Sequence, residues 1–312
     1  MSDALLAALD IGGTKIAAAL VSPDGSVLAR TRRPTPADRD AEAVLAAAAE
    51  ALAELAESVH WPQVAALGIG SAGPVDIARG TVSPVNIPGW RGFPIVERVA
   101  ELPAVKGLPV TLAGDGIAIA AAEHRYGAAQ PYRNALCLVV STGVGGGLVL
   151  NNELHTGTTG NAGHIGHISV AFDGESCPCG GRGCLERYAS GTAIARRALA
   201  TGWRPPADDA SAVAVAESAR AGDPVALAAF DRAARALAAG IAATATLVEL
   251  DAVVVGGGVA ETGDLLFAPL RTHLTTYAAL PFAASVRLHR ARLGTDAGLV
   301  GAAAVAAAAL TR

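Results

Sequence analysis

Short apolar runs alternate with glycine-rich breaks along the chain, and the pattern is clearest near its start. The apolar run from Leu5 to Leu9 predicts a buried strand, and the run from Ile16 to Val21 predicts a second one. Between them, Gly12 and Gly13 allow a turn that larger residues could not make. The pattern therefore predicts a strand–turn–strand hairpin, whereas the glycine turn of a dinucleotide site or a P-loop leads into a helix.

The polar residues of this hairpin have a chemistry suited to phosphate. Asp10 ends the first strand, and Thr14 and Lys15 follow the glycines. Glycines expose backbone N–H groups, Thr14 adds a hydroxyl and Lys15 a positive charge, all of which favour a polyphosphate. A carboxylate beside such a site can orient a hydrated magnesium ion. An ordinary tight hairpin explains the same residues, and this stretch alone leaves both interpretations open.

A second copy of the unit favours the phosphate-binding interpretation. Residues 136–140 are again an apolar strand, and the turn that follows contains Thr142, Gly143 and Gly145 before another apolar run at 148–150. Both copies continue into a polar turn and a third strand. One supersecondary unit used twice predicts two similar lobes that face each other.

The pattern in the rest of the chain predicts a mixed α/β protein. Apolar runs predict strands over 64–69, 110–113, 252–255 and 285–290. Helical spacing predicts helices over 38–59, 117–126, 192–201, 210–221, 224–247 and 296–310, with a further helix starting near Glu261. Asp38 is the expected N-cap of the first of these helices. The segment from Thr81 to Phe93, rich in proline and glycine, is expected to be a loop that contacts substrate.

Composition excludes several classes of function. A chain of 312 residues suits two domains. Its net charge is −4 and it contains no basic run, which argues against nucleic acid or an anionic membrane as the main partner. The first residues lack the features of a signal peptide, and the apolar run from Ala297 to Leu310 is too short to cross a bilayer. We therefore expect a cytoplasmic protein.

Three of the four cysteines lie close together and predict a metal site. Cys177, Cys179 and Cys184 together with His167 would make a closed tetrahedral set that suits structural zinc. A lone histidine is more often a core residue, but three neighbouring cysteines favour ligation by His167. Cys137 lies within an apolar strand and is expected to be a buried core thiol.

Several motifs together resemble one family. The chain has D-I-G-G-T-K at 10–15, a glycine–histidine pair at 163–167 and C-x-C-G-x-x-G-C-L-E at 177–186. In this order they resemble the ROK family of bacterial sugar kinases and related repressors, and the resemblance extends over the whole chain. It implies a two-domain actin-like ATPase fold of the hexokinase-like sugar kinase type, with a structural zinc loop. Residues 1–113 plus 297–312 would form the small N-terminal lobe, and residues 114–296 the large lobe.

The resemblance also implies roles for individual residues. Asp115 matches the catalytic base of the family, although its position at a strand-to-helix break would by itself suggest an N-cap. Residues implied to bind ATP and Mg²⁺ are Asp10, Gly12, Gly13, Thr14, Lys15, Thr142, Gly143, Gly145, Gly257 and Gly258, the last two near the adenosine. Residues implied to face the sugar are Asn86, Gly114, His164, His167 and Glu186. The resemblance further implies a structural Zn²⁺ and a homodimer or homotetramer.

At two positions the chain departs from the family pattern. Relatives commonly have asparagine where this chain has Gly114, and glutamate where it has His164. In the family the asparagine contacts sugar hydroxyls near carbons 3 and 4, and the glutamate contacts those near carbons 1 and 2. A buried sugar hydroxyl left unpaired costs roughly 1–3 kcal/mol. The departures therefore suggest a substrate other than glucose, unless water or a neighbouring loop fills the gaps.

We expect an ATP-dependent kinase that phosphorylates the primary, 6-position hydroxyl of a glucose-like molecule. An amino-deoxy-hexose such as kanosamine, or a cyclitol, would suit the altered residues. The alternatives are a plain glucokinase, or a sugar-binding member of the family without catalysis. A repressor would need an added DNA-binding domain before the first hairpin, and the charge does not favour DNA. Polyphosphate or ADP as the phosphoryl donor stays open.

Overall fold

The computed structural model describes residues 4–206 and 209–311. The strands are β1 (Leu5–Ile11), β2 (Lys15–Val21), β3 (Val27–Pro34), β4 (Val64–Ser71), β5 (Val75–Asp76), β6 (Thr81–Val82), β7 (Val110–Gly114), β8 (Ala135–Val140), β9 (Val144–Leu150), β10 (Glu153–His155), β11 (Ala252–Gly256) and β12 (Arg287–Arg290). The helices are α1 (Ala41–Ala56), α2 (Ile95–Ala100), α3 (Asp115–Tyr126), α4 (Glu186–Ala189), α5 (Gly191–Ala200), α6 (Ala212–Arg220), α7 (Pro224–Val248), α8 (Asp264–Tyr277), α9 (Pro281–Ala284) and α10 (Ala297–Ala309).

The strands form two similar five-stranded mixed sheets, as the duplicated hairpins predict. The first has the order β3-β2-β1-β4-β7, and the second has the order β10-β9-β8-β11-β12. In each sheet the hairpin strands pair antiparallel, and the first hairpin strand pairs in parallel with a later strand. This confirms the α/β class and the actin-like arrangement of two related sheets. The division into lobes at residue 114 stays a prediction.

The sequence predicts Asp38 as the N-cap of α1, and this prediction is wrong. The helix begins at Ala41, and the side chain of Asp40, not Asp38, accepts a hydrogen bond from the backbone N–H of Ala43 at 2.8 Å. Pro36 directs the chain into a turn here, because the backbone N–H of Arg39 donates to its carbonyl oxygen. Two aspartates two residues apart are equally good caps on composition, so only this turn geometry distinguishes them.

Three other elements differ in detail from the prediction. The helix expected near Glu261 is a short 3₁₀ turn, Ala260–Thr262, which precedes α8. The last strand begins at Arg287, two residues later than the pattern suggests. The loop from Thr81 to Phe93 starts with β6, which pairs with β5 in a small separate sheet. These differences leave the order of the major elements unchanged.

Aliphatic side chains build the core, in agreement with a composition of 52% apolar but only 4% aromatic residues. One large buried cluster lies beside the first sheet under α1, and another lies between the second sheet and helices α5 to α8. Trp90 and Phe93 are an exception, since their rings stack at 4.6 Å in the loop that follows β6. Trp90 also donates its indole N–H to the carbonyl of Ala41 at 3.1 Å, which joins this loop to the start of α1.

Helices α3 and α10 connect the two sheets. Helix α10 packs on β1 and β4 of the first sheet, while α3 packs on β8 and β9 of the second and also against α10. The backbones approach so closely that only glycine fits: a Cβ on Gly301 would overlap the carbonyl of Ala118, and one on Gly116 would overlap Gly146. This packing fixes where α3 begins, and Asp115 is its first residue.

Within the residues that the structure describes, no helix is long and apolar enough to cross a membrane. This agrees with the expectation for α10. The first three residues, on which the expectation of a missing signal peptide partly rests, lie outside the described part of the chain.

The contact between α10 and the first sheet generates a stability prediction. A Cβ at Gly68 of β4 would overlap the carbonyl of Ala302, whereas a Cβ at Gly70 on the same face would meet nothing nearer than 3.6 Å. Gly68→Ala should therefore lower the free energy of unfolding by about 2–3 kcal/mol, because α10 must move away from the sheet. The matched variant Gly70→Ala should change it by less than about 1 kcal/mol. Urea unfolding of both variants measures this difference, and equal stabilities would contradict the close approach.

Candidate active site

The first glycine turn is held by the chain that follows β3. The backbone N–H of Gly12 donates to the carbonyl of Lys15 at 3.0 Å and closes the turn. The hydroxyl of Thr35 donates to the carbonyl of Gly12 at 2.7 Å, and the backbone N–H of Thr35 donates to the carbonyl of Thr14. The side chain of Asn86 lies directly on Gly13, where a Cβ would overlap its amide. The structure thus places a predicted sugar-facing residue in contact with the first predicted phosphate turn.

The second glycine turn is held by Glu186. Its Oε2 accepts a hydrogen bond from the backbone N–H of Val144 at 2.9 Å and lies over Gly143. On the other side, the hydroxyl of Thr192 donates to the carbonyl of Thr142 at 3.0 Å. Glu186 was expected to face the sugar, and here it also fixes the backbone of the predicted phosphate turn.

Asp115, the predicted base, lies where the second sheet meets the start of α3. It is the first residue of α3, and its Oδ1 accepts a hydrogen bond from the backbone N–H of Gly116 at 2.7 Å. Burial raises the pKa of its carboxyl above the usual range, and the neighbouring carboxylate of Glu186 raises it further, while this hydrogen bond and His164 lower it. A Cβ on Gly145 would lie 4.0 Å from Oδ1, so the second glycine turn passes close to this carboxyl.

Asp10 brings a second partly buried carboxyl from the other sheet. It lies in β1, which pairs with β2 and β4. Burial raises the pKa of Asp10 to about 6, and the charge of Asp115 adds to the increase while Lys15 opposes it. The effect of Asp115 on the pKa of Asp10 indicates that the two carboxyls are within electrostatic range at the junction of the sheets. A pair of carboxyls beside glycine turns is a donor set that fits Mg²⁺.

Two histidines stack beside Asp115. The rings of His164 and His167 lie 5.0 Å apart between centroids, at 19° to each other. Burial lowers the pKa of His164, with a further decrease from His167, so the imidazole is neutral at pH 7. A neutral imidazole offers one donor and one acceptor, whereas the glutamate of relatives offers only acceptors.

The four predicted metal ligands come together. One donor atom from each of His167, Cys177, Cys179 and Cys184 lies within 4.8 Å of all the others. The Nδ1 atom of His167 is 3.7 Å from the Sγ of Cys177, and the sulfurs of Cys179 and Cys184 are 3.6 Å apart. Zinc–sulfur bonds of about 2.3 Å at tetrahedral angles place two sulfurs about 3.8 Å apart. The set therefore fits zinc and is too wide for a disulfide, which needs about 2.05 Å.

Glycines give the ligand loop its curvature. Gly180 has a φ of +91° and Gly183 a φ of +68°, and a Cβ on Gly183 would overlap the carbonyl of Ala171. Cys137, in contrast, is completely buried in β8, where burial strongly raises the pKa of its thiol. Its burial agrees with the prediction of a core residue.

A cavity of about 660 Å³ opens beside the second turn. Gly257 follows β11 with a φ of +91°, and Gly258 lines the cavity together with Thr142. The lining is mainly apolar and includes Phe230 and Val259, which suits an aromatic base better than a phosphate. Of the predicted nucleotide residues, Thr142 and Gly258 thus share one cavity, while Gly12, Gly13 and Thr14 lie in the first sheet's turn.

Sequence reasoning missed two parts of this site. Helices α5 and α6 supply much of the cavity wall, including Thr192 and Ser211. Asn161 joins the loop after β10 to the small sheet, because its amide donates to the carbonyl of Val75 in β5 at 2.7 Å and accepts from the N–H of the same residue at 3.0 Å. The spacing of residues along the sequence indicates neither the cavity wall nor the contact of Asn161. A lone asparagine between glycines indicates only a turn.

Comparisons with known proteins identify the family. The model of the ROK family matches residues 6–309. The glucokinase of Streptomyces coelicolor is 38% identical over 316 residues, which covers 96% of each chain. An N-acetylmannosamine kinase of Yersinia pseudotuberculosis is 38% identical over 304 residues, covering 97% of this chain and 98% of its own.

A solved structure agrees with the fold. The ROK family glucokinase from Streptomyces griseus, crystallised with glucose and AMPPNP, superimposes with a TM-score of 0.84 at 38% identity. The match covers 97% of this chain and 99% of that one. With two duplicated sheets, the four-ligand cluster and these relatives, the chain belongs to the ROK family and has its sugar kinase fold.

Proposed function

We propose that this protein transfers the γ-phosphate of ATP to the primary, 6-position hydroxyl of a glucose-like substrate. The observation that carries the proposal is the partly buried Asp115, which begins α3 between the two sheets and whose pKa is raised by desolvation. Phosphoryl transfer needs little covalent chemistry from the protein, but it needs positioning, charge neutralisation and an acceptor for the alcohol proton. The site offers one group for each requirement.

Asp115 would accept the proton of the attacking hydroxyl. A raised pKa brings a carboxylate closer to the working pH, which makes it a better base than an exposed aspartate. Its bond to the N–H of Gly116 holds one oxygen in place and leaves the other for substrate. Asp10 and Lys15 lie on the phosphate side, where Asp10 would hold Mg²⁺ through water and Mg²⁺ would neutralise charge on the transferred group.

The residues at the expected sugar site favour a substrate other than plain glucose. A Cβ on Gly114 would contact the carbonyl oxygen of Gly160 at 3.5 Å without overlapping any atom, so this position tolerates the start of a side chain where the family is expected to have an asparagine. The neutral His164 lies in the field of the carboxyls of Asp115 and Glu186. An amino substituent, which is cationic at neutral pH, would be favoured by this field and could donate to the imidazole. These features favour an amino-deoxy-hexose such as kanosamine, with a cyclitol as a second member of the same class.

A plain glucokinase is the main alternative, because relatives of equal identity carry the names of glucokinase and N-acetylmannosamine kinase. A sugar-binding protein without catalysis is disfavoured, since Asp10, Lys15 and Asp115 are all present. A homodimer or homotetramer stays a prediction from the family.

Replacing the base tests the reaction itself. Asp115→Asn should reduce kcat at least about 100-fold while nucleotide binding is retained, because an amide cannot accept the hydroxyl proton. The measurement is a coupled kinase assay together with calorimetry of AMPPNP binding. The matched control is Asp24→Asn, which removes an exposed carboxylate in the turn between β2 and β3 and should leave kcat unchanged. Near wild-type kcat in Asp115→Asn would refute the assignment.

Zinc content tests the metal site. The purified protein should contain about one zinc per chain, because the four donors form a single closed set. Cys179→Ser should lower both the zinc content and the Tm, since zinc binding is coupled to folding of the loop. Cys137→Ala serves as the control, because this thiol is remote in the core and its loss should leave zinc content unchanged. Elemental analysis that finds no metal in an active, folded sample would contradict the site.

Restoring the family residues tests the substrate. Gly114→Asn would introduce an amide at the position where a Cβ fits without overlap, and His164→Glu would return a carboxylate acceptor. Each restored hydrogen bond could contribute on the order of 1 kcal/mol, so the double variant should gain roughly tenfold to a hundredfold in kcat/KM for glucose. The native substrate should lose by a similar factor, because the new side chains fill the space it uses.

The experiment measures kcat/KM for glucose, amino-hexoses and cyclitols with wild type and double variant. Gly70→Ala is a suitable control, because it adds a Cβ on β4 without filling the space at Gly114. If wild type already prefers glucose and the double variant keeps the same preference, the departures have no role in specificity and the protein is a plain glucokinase.

A further inference from the structure

A second cavity, separate from the one beside the glycine turns, lies between the end of α5 and the first half of α7. Its volume is about 370 Å³. The lining includes Arg197, Thr201, Val225, Asp231, Arg232 and Arg235. Three guanidinium groups and one carboxylate thus face a single small cavity, in a chain whose net charge is −4.

The positive charge of this cavity is largely uncompensated. Arg197 and Arg235 make no side-chain hydrogen bond or ion pair among residues 4–206 and 209–311. Asp231, whose Oδ1 lies 2.8 Å from the Nε2 of His273 on α8, brings one negative charge against the three guanidinium groups. The cavity therefore carries an excess of cationic groups with free donors.

Arg232 is held in place by a network that reaches the cysteine loop. Its guanidinium stacks over the ring of Tyr188 at 4.7 Å and lies 3.7 Å from Oε1 of Glu175. Glu175 also pairs with Arg187 at 3.3 Å and Arg196 at 2.9 Å, so one carboxylate serves three guanidinium groups. A guanidinium fixed by stacking loses little freedom when a ligand binds, and its shared carboxylate leaves part of its charge available.

We propose that this cavity is a binding site for a phosphate monoester dianion, the phosphate group of a small phosphorylated metabolite. Arginine is the residue whose planar donors match phosphate oxygens in pairs, and Arg197 and Arg235 approach the cavity from two different helices. The volume exceeds that of a bare phosphate and suits a monosaccharide phosphate. Thr201 and the apolar wall at Val225 would contact the remainder of such a ligand. The site lies outside the proposed active site, and its existence does not depend on the proposed reaction.

Calorimetry tests the proposal with glucose 6-phosphate, inorganic phosphate and unphosphorylated glucose as probes. The protein is first saturated with AMPPNP and Mg²⁺, which occupy the place of the transferred phosphate in the cleft. Wild type should bind glucose 6-phosphate in a salt-dependent manner, because the attraction is electrostatic. The double variant Arg197→Ala, Arg235→Ala should bind it at least about tenfold more weakly.

The charge-matched control is the double variant Arg32→Ala, Arg133→Ala, two exposed arginines on the strand β3 and in the segment before β8. It should bind like wild type, and circular dichroism should show that both variants fold. If glucose 6-phosphate binds more tightly than inorganic phosphate, the cavity is a sugar-phosphate site. If the two probes bind equally, the cavity recognises the phosphate group alone. Equal binding by the cavity variant and the control, or no binding to wild type at about 10 mM probe, overturns the proposal.

Discussion

The close approach of backbone to backbone around α3 and α10 is the constraint on which the site depends. Gly68 of β4 touches the carbonyl of Ala302 in α10, Gly301 of α10 touches the carbonyl of Ala118 in α3, and Gly116 touches the turn of β9 at Gly146. Glycine and alanine allow elements to approach more closely than larger side chains would. The many alanines and glycines and the few aromatic residues thus allow β4, α10, α3 and β9 to pack closely in sequence, which connects one sheet to the other. Asp115 is the first residue of α3, so the packing of α3 against α10 and β9 sets its position.

The desolvation of carboxyl groups at this junction between the sheets lowers the free energy of unfolding. The pKa of Asp10 rises to about 6 from an ordinary value of 3.8, which corresponds to about 3 kcal/mol between its two protonation states. Above pH 6 the carboxylate is buried and charged, and the folded state carries the full penalty. The penalty fades as the pH falls, because below about pH 4 the group is protonated in both folded and unfolded chains. Binding of a cation to the ionised carboxylate, as proposed for Mg²⁺, would offset this loss at neutral pH.

The sequence allowed the glycine hairpins, the duplicated sheets and the metal ligands to be predicted, because each depends on local patterns. Strands and turns follow from apolar runs and glycines, and four ligands within 18 residues mark one loop. Contacts between distant segments could not be predicted. Nothing in the spacing indicates that Glu186 accepts from the N–H of Val144, or that Asn161 binds the backbone of Val75 in β5. The prediction of Asp38 as the cap was wrong for a different, local reason, because the turn that closes between Pro36 and Arg39 leaves Asp40 as the residue that caps the helix.

The replacement of glutamate by His164 changes the base as well as the sugar pocket. Burial and the carboxylate of Glu186 already raise the pKa of Asp115, and a carboxylate at position 164 would add another negative charge that favours its protonated form. A neutral imidazole adds no such charge, and a protonated one would lower the pKa of Asp115. Its ring is held by stacking on His167, whose Nδ1 faces Cys177, so the cysteine cluster supports the imidazole. The cysteine cluster therefore positions His164 through His167, and in the proposed reaction the neutral ring at position 164 spares Asp115 the additional negative charge that a glutamate would bring.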